Sequence, residues 1–246
     1  MRRTHSSPLW RLALLLLILG STFDTDVNAA ETNGVVAYHA RYTVSYRGIG
    51  GGNIAVSLQP GLDGNWVYES KAYPNMLGRL AISSSAHERG VMTITDDGVR
   101  PLRYDYVAGR SDDSKDIHVE FDWNNGRVQG SNEGRDFAYD VSPGTQDTAS
   151  VQAAALRELG LGRTPQSFKL VSGGKIRDLR YWSEGNARIK TPHGEYDTVI
   201  WASQREGSSR VQKVWHAPSL GFVPVQAIQY RDGRAELEMR LVKLEQ

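Results

Sequence analysis

The chain has no cysteine. That excludes disulfides, thiolate metal centres and lipid attachment through a cysteine, and it mildly favours a bacterial source. Local metal motifs are missing too. Beyond the N-terminal segment the histidines are His39, His87, His118, His193 and His216, too far apart for HxH or HExxH spacing. There is no G-x-S-x-G nucleophile turn. The glycine-rich Arg47 to Gly52 lacks the Lys-Ser/Thr and the helix that a phosphate loop needs, so it reads as a hairpin turn. Ser111-Asp112-Asp113-Ser114 lacks the D-x-D-x-D-G order of a Ca²⁺ loop. No cofactor and no metal are expected.

Excess charge of either sign is also lacking, with 29 Lys and Arg against 28 Asp and Glu. The cations are scattered singly, without the basic face of a nucleic-acid binder or a basic amphipathic helix for a membrane surface. The longest apolar run, Leu12 to Leu19, is far short of the roughly 20 helical residues that span a bilayer.

That run has another meaning. Arg2, Arg3 and Arg11 precede it, and Val27-Asn28-Ala29 closes the segment with a small-x-small end. Basic flank, short apolar core and small-residue end make a secretory signal, with cleavage expected after Ala29. Arg2-Arg3 lies too far from the apolar run for twin-arginine export, which leaves general secretion into a bacterial periplasm. The remaining 217 residues, 30–246, carry 26 basic and 26 acidic side chains once the three arginines and two aspartates of the leader are removed. They are numerous enough to bury a core without covalent staples.

Period-two alternation dominates this mature segment. Tyr38, Ala40, Tyr42, Val44 and Tyr46 share one face, and Ile54, Val56 and Leu58 follow after the Arg47 to Gly52 turn. Strands are further expected at Trp66–Ala72, Arg79–Ala86, Val91–Thr95 and Arg103–Val107. Ile117, Val119, Phe121 and Trp123 alternate next and run into Asn124-Asn125-Gly126, a hairpin signal. Eight further strand signals, over Phe137–Val141 and between Gln166 and Leu244, are punctuated by Gly-Gly, Gly-Asn, Gly-Ser and Asp-Gly turns. Tyr196–Ser203 is apolar on both faces in its middle, which suits a central strand. The single helix is expected over Thr148–Leu159, with Asp147 as N-cap, Gly160 as C-cap, and Val151, Ala155 and Leu159 on one packed face. With no linker or composition break, the expectation is one all-β domain. It is an antiparallel barrel or strongly curved sheet of about 12–14 short strands, with the helix packed across or inside it.

Ser150, near Asp147, reads as a cap rather than a nucleophile. Ser83-Ser84-Ser85 decorates a strand. Glu120 and Asp122 lie opposite Val119, Phe121 and Trp123, so they read as a solvated face rather than a carboxylate pair. Aromatics are the richer signal: Trp66, Trp123, Trp182, Trp201 and Trp215, with eleven tyrosines spread over the strands. Pointing into a curved sheet, they either fill it or line a cavity.

Several motifs recur in one order: Tyr42-Thr43-Val44-Ser45-Tyr46-Arg47-Gly48-Ile49, Gln146-Asp147-Thr148-Ala149-Ser150 opening a helix, Thr191-Pro192-His193-Gly194-Glu195-Tyr196, and Val214-Trp215-His216-Ala217-Pro218 followed by Val223-Pro224-Val225. Together they resemble the exported bacterial proteins grouped as domain of unknown function 3108, over nearly the whole mature chain. The resemblance implies export and a β-rich fold, and carries over no activity, ligand or catalytic residue.

The leading functional expectation is therefore non-catalytic: binding of an apolar or amphipathic envelope molecule, a lipid or glycan fragment, in the concave face. The alternatives are an envelope hydrolase or lyase assembled from distant strands and an assembly or scaffold subunit. The candidate site residues are His193, Tyr196, Asp197, Trp201, Trp215 and His216. The enzyme reading requires at least two of His193, Tyr196, Asp197 and His216 to converge in a cleft. The scaffold reading requires a broad apolar patch or a free sheet edge.

Overall fold

The computed structural model describes residues 31–76, 86–109, 115–165 and 167–246. The leader and its cleavage point, Ser83–Ser85, the Ser111–Ser114 loop and all but the last residue of the strand expected over Arg79–Ala86 lie outside the described residues. A two-stranded ladder, β1 (Glu31–Thr32) and β2 (Val35–Val36), opens the described chain. Eight strands follow as a meander: β3 (Tyr38–Tyr46), β4 (Ile49–Pro60), β5 (Trp66–Pro74), β6 (His87–Thr95), β7 (Gly98–Val107), β8 (Ile117–Asp122), β9 (Arg127–Asn132) and β10 (Arg135–Asp140). Helix α1 (Ser150–Gly160) leads into six more: β11 (Phe168–Ser172), β12 (Lys175–Lys190), β13 (Glu195–Arg205), β14 (Arg210–His216), β15 (Pro224–Arg231) and β16 (Arg234–Glu245).

All fourteen belong to one antiparallel sheet, because β16 returns to pair with β3 from Tyr46 opposite Leu237 to His39 opposite Glu245. The first and last long strands thus lie side by side in mid-sheet, and β10 and β11 are its edges. The sheet is strongly curved, and its edges approach each other. The Tyr139 hydroxyl donates to the Gly174 carbonyl at 2.8 Å. Gln146, between β10 and the helix, exchanges two 2.8 Å backbone bonds with Lys169 and Val171 of β11. No ladder joins β10 to β11, so the sheet is not closed.

Local chemistry explains where the elements begin and end. Asp147 Oδ1 accepts the N–H groups of Ala149 and Ser150, each at 2.8 Å, and Ser150 Oγ accepts the Asp147 N–H at 2.9 Å, a reciprocal cap. At the other end Gly160 is still helical. Gly162, at φ +68°, takes the capping role, with its N–H on Leu159 O and the Arg163 N–H on Glu158 O. Gly160 is small for another reason: a Cβ there would lie 1.8 Å from the Gly34 carbonyl oxygen, so the helix end rests on the β1–β2 turn. Two turns also differ from expectation. The β3–β4 turn is only Arg47-Gly48, and Gly50 to Gly52 belong to β4. The β8–β9 connection spans four residues rather than a tight Asn-Gly pair, because the Asp122 carboxylate accepts the N–H groups of Asn124 and Asn125 at 3.1 Å and holds a wider turn.

The helix divides the interior. Its Val151 packs with Leu170 and Leu179, while Ala149, Ala153 and Leu156 join the main core with Leu58, Met92 and Leu241. Gly90 on β6 admits this approach, since a Cβ there would sit 2.4 Å from that of Ala149. The buried Arg157 donates to the carbonyls of Thr95 at 3.0 Å and Asp96 at 2.7 Å, tying the helix to the β6–β7 turn. One end of the curved sheet is therefore closed by the helix. The opposite end carries the β3–β4, β11–β12, β13–β14 and β15–β16 hairpin turns.

Candidate functional site

Alternation along the strands puts Tyr38, Tyr42, Tyr68, Ser70, Val214 and His216 on the concave face, beside the helix residues Thr148, Gln152 and Leu156. Between them lies a cavity of about 320 Å³. Its walls near the helix-capped end are buried, with Tyr38, Tyr68 and His216 at 3%, 9% and 6% exposure. Towards the other end Gln212 is exposed, and Ser203, Tyr181 and Met239 are partly so. The cavity therefore opens at the end away from the helix.

Among the described residues of this wall Glu88 is the one acid, and none is Lys or Arg. It sits on β6 directly opposite Ser70 of β5 and Tyr106 of β7. The Tyr104 hydroxyl donates to Glu88 Oε1 at 3.0 Å. Glu88 keeps some accessible surface because it faces the cavity, yet it is withdrawn from bulk water. Burial pushes its carboxyl up to about 7, against the pull of the Tyr104 hydrogen bond and with a further push from Asp147. Asp147 is itself raised by burial to about 6, although the backbone amides of Ser150 and Ala149 favour its charged form. Its Oδ2 is buried without a hydrogen-bond partner. Burial likewise holds the phenols of Tyr38, Tyr42 and Tyr68 protonated well beyond their ordinary range. The Tyr42 hydroxyl donates to the Pro224 carbonyl at 2.9 Å.

His216 closes the deep side of the cavity. Its Nδ1–H donates to the Phe222 carbonyl at 2.8 Å, and burial lowers its pKa to about 4, so the ring is neutral at pH 7. Trp201 of β13 lines the same cavity. The other candidates lie elsewhere. Trp215 stands opposite Ile200 and Gln226, outside the cavity wall. His193 and Tyr196 stack and hydrogen-bond through Nδ1 and the phenol oxygen at the exposed β12–β13 turn. Asp197 is 82% exposed and faces Arg188 at 3.3 Å. Of the six, Trp201 and His216 meet in one cavity, and His193 meets Tyr196 outside it.

Sequence reasoning missed Glu88, Tyr104 and the tyrosine cluster. A signal was present: Glu88 is in phase with Gly90, Met92 and Ile94, which are buried. Starting the strand at Val91 hid that phase. A second crevice at the helix-capped end, about 480 Å³, is lined by Arg157, Gln146, Arg163 and acidic neighbours. The Arg157 and Gln146 side chains are already engaged in fastening the helix, so this crevice is a by-product of that fastening. Among the described residues no group of three His, Asp or Glu side chains could hold a metal ion. Nor is any helix among them long and apolar enough to cross a membrane.

No curated protein matches the sequence. Among solved structures, the chain is similar to a β-barrel-like protein of domain of unknown function DUF1849 from Brucella abortus. The identity is 11% over 86% of this chain and 98% of that one, with a TM-score of 0.57. That likeness shows the fold alone. The Pseudomonas aeruginosa MucA/MucB complex matches at 8% identity over 85% of this chain and 51% of that chain, with a TM-score of 0.37, too low to carry an argument. The decisive match is to a family model described as protein of unknown function (DUF3108), which covers residues 41–240, the sheet from within β3 to within β16 and the cavity wall apart from Tyr38. This chain belongs to that family.

Proposed function

We propose that the protein is exported to the periplasm, cleaved after Ala29 without lipid attachment, and binds an apolar or amphipathic cell-envelope molecule, a lipid or glycan fragment, without transforming it. The observation that carries this reading is the cavity. It is roughly 320 Å³, and Ile54, Val56, Leu156, Trp201, Val214 and Met239 supply its apolar lining. Ligand pockets of this size are mostly apolar, with a few placed hydrogen-bonding groups that fix orientation. Here the polar groups include Glu88, Ser70, Ser203, Gln152, His216 and tyrosine hydroxyls. With a carboxyl and no cation among the described residues of the wall, the site favours a neutral or cationic head group over a carboxylate or phosphate.

The test is native mass spectrometry, paired with organic extraction, of protein recovered from the periplasmic fraction. The expected result is a bound mass that is released on denaturation and abolished by Val214→Trp, which fills the cavity. Protein that carries nothing, and takes up nothing from an envelope extract, overturns the reading.

A further inference from the structure

We propose that the open end of the sheet docks on an anionic lipid bilayer. Three independent features converge there. The first is charge. The adjacent β3–β4, β15–β16 and β13–β14 hairpins present Arg47, Arg231, Arg234, Arg205 and Arg210. Lys175 and Arg177 extend this arc onto β12. The acids beside the five arginines are Glu206, Asp232, Asp178, which is paired with Lys169 at 2.7 Å, and Glu236, which is nearly buried, at 7% side-chain exposure, between Arg47 and Arg231 at 3.2 and 3.1 Å.

The arc is moreover unbalanced within itself. Arg210 stands directly opposite Arg231 in the ladder, and Arg231 stands opposite Arg234. Like charges directly across a ladder destabilise a sheet. Arg205 is partly buried, and Arg177 and Arg210 add to the pressure against its charge. An external anionic surface relieves this repulsion.

The second feature is apolar. Ile49, Tyr73 and Met76 are 60%, 52% and 83% exposed. They form one corner beside Arg47, because the Asn75 side chain donates to the Gly50 carbonyl at 3.0 Å and Pro74 pairs with Gly52. Cations flanking exposed apolar and tyrosine side chains suit the headgroup layer of a bilayer, where the charges meet lipid phosphates and the apolar groups sink into the acyl boundary. The third feature is position: the cavity opens at this same end, so a docked molecule presents its mouth to the lipid.

Flotation with vesicles of phosphatidylethanolamine and phosphatidylglycerol, against vesicles of phosphatidylcholine alone, tests the proposal. Two variants are compared with wild type, Arg210→Glu with Arg234→Glu and Ile49→Asp with Met76→Asp. All four positions are exposed, and all proteins carry the same N-terminus, whose own contribution cancels. The expected result is binding to the anionic vesicles that weakens with added salt and falls at least tenfold in each variant, with unchanged thermal unfolding. Wild type that ignores anionic vesicles, binds phosphatidylcholine equally, or is matched by both variants overturns docking. The ligand adduct read by native mass spectrometry persists in both variants, so failure of docking is distinguishable from failure of the cavity reading.

Discussion

The Tyr104 hydroxyl and Glu88 Oε1 lie 3.0 Å apart inside the curved sheet, a phenol held protonated by burial donating to a carboxyl that burial pushes towards neutrality. The bond is what keeps Glu88 from rising further. Tyr104→Phe removes the donor and leaves a half-satisfied carboxyl. The Glu88 pKa, followed by carboxyl NMR titration, should move above about 7, and stability should drop by about 1–3 kcal/mol. An unchanged titration would show that the bond is not formed in solution.

Glu88 and Asp147 should also shape the pH dependence of stability. Both have folded pKa values raised above their ordinary ones, to about 7 and about 6. The native state therefore holds more protons than the unfolded chain from about pH 4 up to those values. Their contribution is fully present below that window and is lost as pH rises to about 7. Glu88→Gln removes the larger share. Relative to wild type, the variant should gain on the order of 2–3 kcal/mol between pH 4.5 and pH 8, read from urea midpoints. Parallel pH profiles for the two proteins would rule this out.

His216 works in the opposite sense. Its folded pKa of about 4 lies below the ordinary 6.5, so the unfolded chain binds the extra proton between those values. Stability from this group is complete above about pH 6.5 and is lost as pH falls towards 4. His216→Gln, which can still offer a donor to the Phe222 carbonyl, should flatten that acid-side loss and leave stability at pH 8 within about 1 kcal/mol of wild type. His216→Leu leaves the carbonyl unpaired and should cost about 1–3 kcal/mol at pH 8, a cost that shrinks towards pH 4 as wild type loses the contribution of its own histidine.

The helix cap separates charge from hydrogen bonding. Asp147→Asn keeps an acceptor for the amides of Ala149 and Ser150 while removing a buried charge whose Oδ2 has no partner. It should be neutral or mildly stabilising at pH 8. Asp147→Ala loses the cap and should cost about 1–2 kcal/mol. Guanidinium denaturation of both variants would settle the difference, and equal losses would mean that the charge itself is needed.

Much of the architecture was legible because β alternation is a local property. Tyr38, Ala40 and Tyr42 are spaced for one buried face, and all three are buried. Asp147 and Ser150 were legible as caps because a cap needs only four consecutive residues. The cavity was less so. Trp201 and His216 could be nominated, but His193 and Tyr196 turn outwards to each other, and Asp197 faces Arg188. The Tyr196–Ser203 strand was expected to be central because both faces are apolar. It is β13, third from an edge, and its apolar character serves the cavity on one side and packing on the other.

What the sequence determined by itself was the period-two pattern, the place of most turns though not the length of the β3–β4 and β8–β9 ones, the single helix and its N-cap, and family membership through motifs in a common order. These rest on contacts within a few residues of chain. Only the tertiary structure decided that β16 pairs with β3, that Gly160 is small to admit the Gly34 carbonyl, and that Glu88, held by Tyr104, shares a cavity with His216. Those relations join residues 16 to more than 120 positions apart. No local pattern encodes how far a sheet must curl before its faces meet.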